Sequence, residues 1–455
     1  MPFVNESGNA DLEYLSDGVT ESLINNLSQL TNLSVKGRSS VFQYKSKEIS
    51  PQQVASELKV QAVLNGRVTQ RGDSLSISLD LVDGTTGDQI WGEQYIRPAG
   101  DLAALQSDIA RDVSQKLRTR LSGADESRVV KNQTQNTEAY QLYLKGRYNW
   151  NKRTDAAMKK AIEYFLQATE KDPNYAMAFV GLAESYLLSP LSTDELKATV
   201  AARRAIEIDP LLGEPHATLA VVLKDSHDFK GAENEFRRAI ELAPNYPTSY
   251  HWLGEMLTQD ARFEEGFAEY QKALELDPLS LAIATDYGQA LYNDKQYDHA
   301  VEYLKGLLEI DPSYVRTHSY LAQVYRAMGR YEDAIDEDHR AAILLGTDPE
   351  EAGEVKRQLT QALRAGGAKG YWTKKLELAQ QDLQKGRVVA ATDMAAIYAQ
   401  TGNRDEAFQW LEKALQAHEG DVPTLKVGPE WQNLRGDPRL SDLIRRAGLS
   451  APNGS

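Results

Sequence analysis

Four prolines, Pro210, Pro244, Pro278 and Pro312, stand 34 residues apart, and each closes nearly the same phrase: AIEIDP, AIELAP, ALELDP and LLEIDP. Small residues keep the same period. Ala220, Gly254, Gly288 and Ala322 form one series, and Ala232, Gly266, Ala300 and Ala334 a second. Ala239, Ala273, Leu307 and Ala341 form a third, with one large member. A fixed period of this length is the mark of a repeat architecture and overrides any estimate of domain number from chain length. Each unit reads as two amphipathic helices joined by a short turn. Small residues let the helices approach where they cross, and Leu219, Leu253, Tyr287 and Leu321 fill the seam. The proline ends the second helix, because it lacks a backbone donor and drives its predecessor out of the α region. No unit buries its apolar face alone, so neighbours must stack.

The 34-residue period and the small–large–small signature resemble the tetratricopeptide repeat. Four units over 213–346 match without insertion. Two earlier ones have longer loops: 139–173, with Gly146, Ala161, Phe165 and Ala168, and 176–210, with Leu182, Ala183, Tyr186 and Ala205. A later one spans 388–421 through Met394, Gly402, Ala407 and Ala414, and 350–386 is helical but broken at Gly366-Gly367-Ala368-Lys369-Gly370. The array therefore covers 138–421 in about seven units, and 422–455 is a capping helix and tail.

The resemblance implies that the first helix of each unit lines a concave groove for a protein or peptide partner. In the family's register the groove-facing residues include Glu214, Ala217, Val221 and Lys224; His251, Glu255 and Thr258; Thr285, Gln289 and Tyr292; and Arg316, Ser319, Gln323 and Arg326. Such a mixture suits an extended peptide, which offers backbone amides as well as side chains. Some repeats of this family clamp a partner's terminal carboxylate with Lys, Asn and Arg; here Ala217/Val221, His251/Glu255 and Thr285/Gln289 stand in those places, so that clamp is missing. Arg316 and Arg326 can instead pair with an acidic side chain, or face solvent.

Residues 1–122 follow another grammar. Helices are expected over 17–30, with Asp17 as cap, after Ser50-Pro51, and from Asp101. Leu33-Ser34-Val35 is a short strand candidate, and 60–71 and 89–96 are strand-like. From Ser74 to Val82, Leu75, Ile77, Leu79 and Leu81 alternate with Ser74, Ser76, Ser78 and Asp80, the pattern of a strand with one wet face. Gly72-Asp73 makes the hairpin turn, so the adhesion-like tripeptide Arg71-Gly72-Asp73 reads as a turn. The fold class is thus mostly α: an α-solenoid of tetratricopeptide helix pairs preceded by a small α/β (α+β) sandwich domain. Tyr14–Gly18, Ser39–Phe42, Ala62–Val68 and Gln89-Ile90-Trp91 resemble the FlgO/TolB-N-terminal-like domain of bacteria, which often precedes such arrays downstream of a kinase, a nucleotide cyclase or a winged-helix region. Phe3-Val4 reads as the tail of a strand cut short, so the chain is expected to be a fragment. Residues 123–137 are a polar linker.

Net charge −15 argues against sequence-independent binding to nucleic acid or anionic lipid. Zero cysteines exclude disulfides and thiolate chemistry, and no apolar run approaches the length of a membrane span. No phosphate loop, dinucleotide fingerprint, nucleophile elbow or zinc-protease motif occurs, and the seven histidines are scattered seam or surface residues. No enzyme, cofactor or metal is expected. The expected function is a protein–protein interaction scaffold. The alternative is the sensory or regulatory region of a larger signalling protein whose catalytic or DNA-binding part is absent, extracytoplasmic if that protein is membrane-anchored. Partner identity and oligomeric state are not readable.

Overall fold

A computed structural model describes residues 1–9, 12–30, 33–116, 134–189, 194–419 and 422–449. Residues 123–133 of the expected linker, the end of the preceding helix from Leu117 and the tail from 450 lie outside the described residues. The chain forms two compact units, 1–222 with 230–252 and 272–280, and 223–229 with 253–271 and 281–455.

The first unit opens with β1 (Val4–Asn5), α1 (Glu13–Ser28), α2 (Arg38–Phe42), α3 (Pro51–Leu58), β2 (Ala62–Arg71), β3 (Ser74–Asp83), β4 (Gln89–Pro98) and α4 (Leu102–Lys116). The sheet follows sequence order, with β1 parallel to β2 and the other two pairs antiparallel. Alternation decides which face is covered: Leu75, Ile77 and Leu79 join Val19 and Leu23 of α1 and Leu105 and Ile109 of α4 in one core. On the opposite face Arg67 pairs with Asp80, and Gln94 donates to Ser76. Ser50 and Gln53 form a reciprocal cap on α3, whose Pro51 at the first position costs no hydrogen bond.

Two local expectations are corrected. Leu33–Val35 is not a strand; the segment is irregular, because Asn245 donates to the Leu33 carbonyl and no ladder partner is offered. Asp17 is not a cap, because α1 starts at Glu13 and Asp17 lies a turn inside it, with both oxygens taken by Lys45 at 2.6 and 2.7 Å.

Helix pairs follow in α5 (Thr137–Trp150), α6 (Asp155–Lys171), α7 (Ala176–Leu187), α8 (Asp194–Ile208), α9 (Glu214–Asp225), α10 (Phe229–Leu242), α11 (Pro247–Gln259) and α12 (Phe263–Leu276). The small residues do what the period implies. Cβ atoms at Gly146 or Gly181 would each come within 2.5 Å of the Phe165 ring, so one buried ring wedges two helices that only glycine lets approach. The same apolar core runs on from the sheet domain through Tyr140, Tyr143 and Leu144 to Ala202 and Leu212.

Polar contacts also fasten the sheet domain to repeat turns. Asn245 Nδ2 donates to the carbonyls of Ser28, Leu30 and Leu33 at 3.2, 3.0 and 2.7 Å, satisfying groups that the end of α1 leaves open. Asp172, Asp209 and Asp311 accept from the backbone two residues on, in their own turns. Asp277 instead accepts from Ser40 N at 2.7 Å, Ser40 Oγ at 2.6 Å and Ser39 N at 3.3 Å, and so caps α2 from 237 residues away. Burial raises its carboxyl pKa against those bonds. Replacing Asp277 with alanine is expected to cost about 1–3 kcal/mol by leaving buried donors unpaired. Amide exchange should accelerate over Arg38–Phe42; unchanged protection there would refute this.

In the second unit the series continues with α13 (Leu281–Asn293), α14 (Tyr297–Ile310), α15 (Val315–Ala327), α16 (Tyr331–Leu344), α17 (Pro349–Gln384), α18 (Ala391–Thr401) and α19 (Arg404–Gln416). The expected glycine break falls inside α17, where Gly367 takes φ +59 and ψ −148, a conformation only glycine adopts cheaply. Two 3₁₀ turns, Val422–Lys426 and Pro429–Leu434, and α20 (Pro438–Arg446) then cover the last pair, with Leu425, Trp431, Leu434 and Leu443 packed on Ala407, Leu411 and Ala414. That is the capping role expected of a solenoid end. Arg439 and Arg446 are spent on Asp405, Asp437 and Glu412.

Candidate functional site

The first helices of the second unit carry a ladder of charge. Lys224 Nζ lies 3.4 Å from Glu255 Oε1, and Arg316 Nη2 lies 3.1 Å from Asp286 Oδ1. Burial works against the Lys224 ammonium, but Glu255 and Asp225 outweigh it and hold the amine above its ordinary pKa. Lys224, Glu255 and Asp286 are spaced 31 residues apart, one repeat less one turn of helix, which brings equivalent faces of successive first helices together. Arg316 Nε also donates to Tyr320 Oη at 3.1 Å.

Beside the ladder, Gln289 Nε2 donates to Gln323 Oε1 at 3.2 Å, while Gln289 Oε1 is buried and unpaired. Ser319 turns its hydroxyl onto the Val315 carbonyl. Thr285 is buried against Thr317 at 2.8 Å, and Thr258 is buried with its hydroxyl on Glu255 O. Tyr292 is buried, and its hydroxyl donates to Glu430 Oε2 at 2.8 Å. Arg326 donates to Asp338 at 2.8 Å, and Lys375 reaches the same carboxylate. Burial raises Asp338, but Arg326 and Lys375 prevail and keep it below the ordinary carboxylate range. His251, in the first unit, is buried.

Thus Lys224, Glu255, Gln289, Arg316 and Gln323 gather along one run of helix faces, whereas Thr285 and Tyr292 are built into the packing. Arg316 stands apart: its side chain is 48% exposed while its partner Asp286 is 5% exposed. Sequence reasoning passed over Asp286, Tyr320, Asp338, Lys375 and Glu430. The 31-residue spacing marks Asp286; nothing local marks Glu430, which reaches Tyr292 from 138 residues away. Two histidines are seam residues: His216 and His318 each approach the glutamate 19 positions on, Glu235 and Glu337, at 2.6 and 2.5 Å.

A second polar cluster lies in the first unit, where α1 meets the repeats. Arg147 is buried between Glu21, at 2.7 Å from its Nε, and Glu184. Asn151 also donates to Glu21, and Tyr246 to Glu184. Burial raises Glu21, but Arg147 and Arg38 more than offset it, so its pKa is lowered. Glu214 is buried nearby with Oε2 unpaired; burial pushes its carboxyl up to about 7, with Glu184 adding to the effect and Arg147 opposing it. Among the described residues no group of three or more His, Cys, Asp or Glu could hold a metal, and no helix is long and apolar enough to cross a membrane.

Models of the tetratricopeptide repeat match residues 218–280, 293–337 and 388–419, so helix pairs in those stretches are repeats of that kind. A protein named putative adenylate cyclase 3, from Rhizobium meliloti (strain 1021), is 33% identical over 230 residues. That match takes in 49% of this chain and 39% of the relative, so the chain spans about two fifths of the relative's length. Among solved structures, Pseudomonas aeruginosa pilF is 19% identical, covering 56% of this chain and 96% of that one at TM-score 0.33. YrrB, described as a tetratricopeptide protein with an unusual peptide-binding site, is 20% identical, covering 43% and 99% at 0.30.

Proposed function

We propose that this chain is a protein-interaction scaffold whose first-helix face between Lys224 and Gln323 takes an extended peptide bearing an acidic side chain. The observation that carries the reading is Arg316. Its guanidinium is fixed by buried Asp286 and by Tyr320 yet half open to solvent, so it is oriented before a ligand arrives. A fixed guanidinium suits a carboxylate, which accepts two parallel bonds from it. The chain's own Glu430 on Tyr292 is a carboxylate held by a neighbouring part of the same row.

The test is selection of displayed random peptides on the full chain, compared with Arg316→Glu and with Gln323→Ala, which leaves the buried ion pair intact. Selected sequences should be rich in Asp and Glu. Arg316→Glu is expected to weaken them at least about tenfold, the loss of one charge-assisted contact. Peptides without acidic bias, or bound equally by all three proteins, would refute the reading.

The N-terminal sheet domain is proposed to be of the FlgO/TolB-N-like kind, supported by its parallel β1 and the meander after it. A second reading, as the regulatory region of a larger signalling protein, is favoured by the relative named as a cyclase.

A further inference from the structure

Among the described residues the sheet has an open rim: β4 is last in the strand order and is bonded to β3 along one side only. It is ten residues long, whereas edge strands are usually kept short or blocked by charged side chains, proline or a bulge, because their free amides invite another strand. β4 has no lysine, and its one proline is the last residue. Its single irregularity falls at its beginning, near Gln89. Gln94 is exposed, as are Ile90 (49%) and Ile96 (58%).

The charges on this strand are arranged symmetrically. Glu93 and Arg97 lie opposite Leu79 and Leu75 of β3, on the same face as Tyr95 and two residues to either side of it. Both are exposed. Among the described residues Glu93 has no hydrogen bond or ion pair, and Arg97 donates only to the carbonyl of Ile96, at 3.1 Å. Other arginines of this chain are spent on acids a turn away, such as Arg204 on Glu207 and Arg330 on Asp333, whereas Arg97 has no acid beside it among the described residues. Tyr95 between them is fixed, its hydroxyl donating to Asp112 of α4 at 2.7 Å.

We propose that β4 is a self-pairing edge, along which two copies of this chain join antiparallel about Tyr95 into one eight-stranded sheet. Turning one copy by a two-fold axis at Tyr95 sets Glu93 opposite Arg97 of its partner, twice, and Gln94 opposite Ile96. Every opposed pair joins two odd or two even positions, so amides aimed outward from one strand meet amides aimed outward from the other. The contact is isologous, as a closed dimer requires. It also sets cation against anion, which a chain of net charge −15 needs in order to approach itself.

Sedimentation velocity on the full chain over a concentration series tests this. The wild type should form a reversible dimer. Glu93→Arg puts two arginines opposite each other, and Arg97→Glu puts two glutamates opposite each other, so each should weaken the dimer at least about tenfold, more strongly at low salt. Both residues are exposed, and unchanged circular dichroism would show that the fold is kept. The decisive arm mixes the two single variants. In a mixed pair the introduced arginine of one chain meets the introduced glutamate of the other, and the native Arg97 of the first meets the native Glu93 of the second. Two chains that do not self-associate should therefore form a heterodimer of wild-type strength. A wild type that stays monomeric, a dimer indifferent to both substitutions, or variants that do not combine would each overturn the proposal.

Discussion

Replacing Arg147 with methionine is expected to lower the stability of the first unit by about 3–5 kcal/mol, the cost of removing one partner from a buried ion pair. Arg147 sits between Glu21 of α1 and Glu184 of α7, all three buried, so its loss strands two carboxylates at once. Arg38 still reaches Glu21, from a side chain 29% exposed, and Tyr246 still reaches Glu184, but neither replaces a cation shared between them. The planar guanidinium also lies over the Trp150 ring at 4.3 Å, a contact methionine keeps only in part. Repeat arrays need not unfold in one step, so the loss should be read locally, by amide exchange over Glu13–Ser28 and Thr137–Trp150. Protection reduced by less than about 1 kcal/mol would mean that the acids are solvated or protonated in the native chain, and the account of this junction would fail.

Glu214→Gln should act in the opposite direction. Burial holds this carboxyl at about 7, above its ordinary 4.5. A carboxyl raised on folding binds its proton more tightly in the native state, so wild-type stability falls as pH rises from about 4.5 to about 7. A difference of about 2.5 pKa units corresponds to about 3 kcal/mol, fully present at pH 8. Glutamine cannot ionise and escapes that cost. Urea unfolding should show the variant more stable than wild type by about 3 kcal/mol at pH 8, with most of the advantage gone at pH 5. Comparing those two pH values keeps clear of Glu21, whose lowered pKa makes its contribution fade only below the ordinary carboxylate range. An equal gain at both would assign the effect to packing rather than to charge.

What could be read from the sequence was what local chemistry enforces. Proline and small residues at a fixed period give helix pairs because their steric demands hold wherever they stand. Leu75, Ile77, Leu79 and Leu81 declared their strand because alternation belongs to the strand itself. Gly367 announced a break for a similar reason. Leu33–Val35 misled, because its apolar residues suit a strand but a ladder needs a neighbour, and the neighbour supplied is the Asn245 amide. Asp17 misled because a capping residue type is indistinguishable from a buried acid until Lys45 is seen on it. In the candidate site, Lys224 and Arg316 were legible from register alone. Asp286 lay one step from Thr285 and was missed; Glu430 and Lys375 were invisible, since only the fold brings such distant positions to Tyr292 and Asp338.

The cap that Asp277 places on α2 also sets an order of events. A chain leaving the ribosome at about 5–20 residues per second needs about 12–50 s to advance from Ser40 to Asp277. During that interval the sheet domain lacks both Asn245 and Asp277, and the core it shares with α5–α8 is still arriving. Contacts of such separation slow folding, because the intervening loop must be closed before they give anything back. The sheet domain, though made first, is therefore finished only once the repeats up to Asp277 have been made.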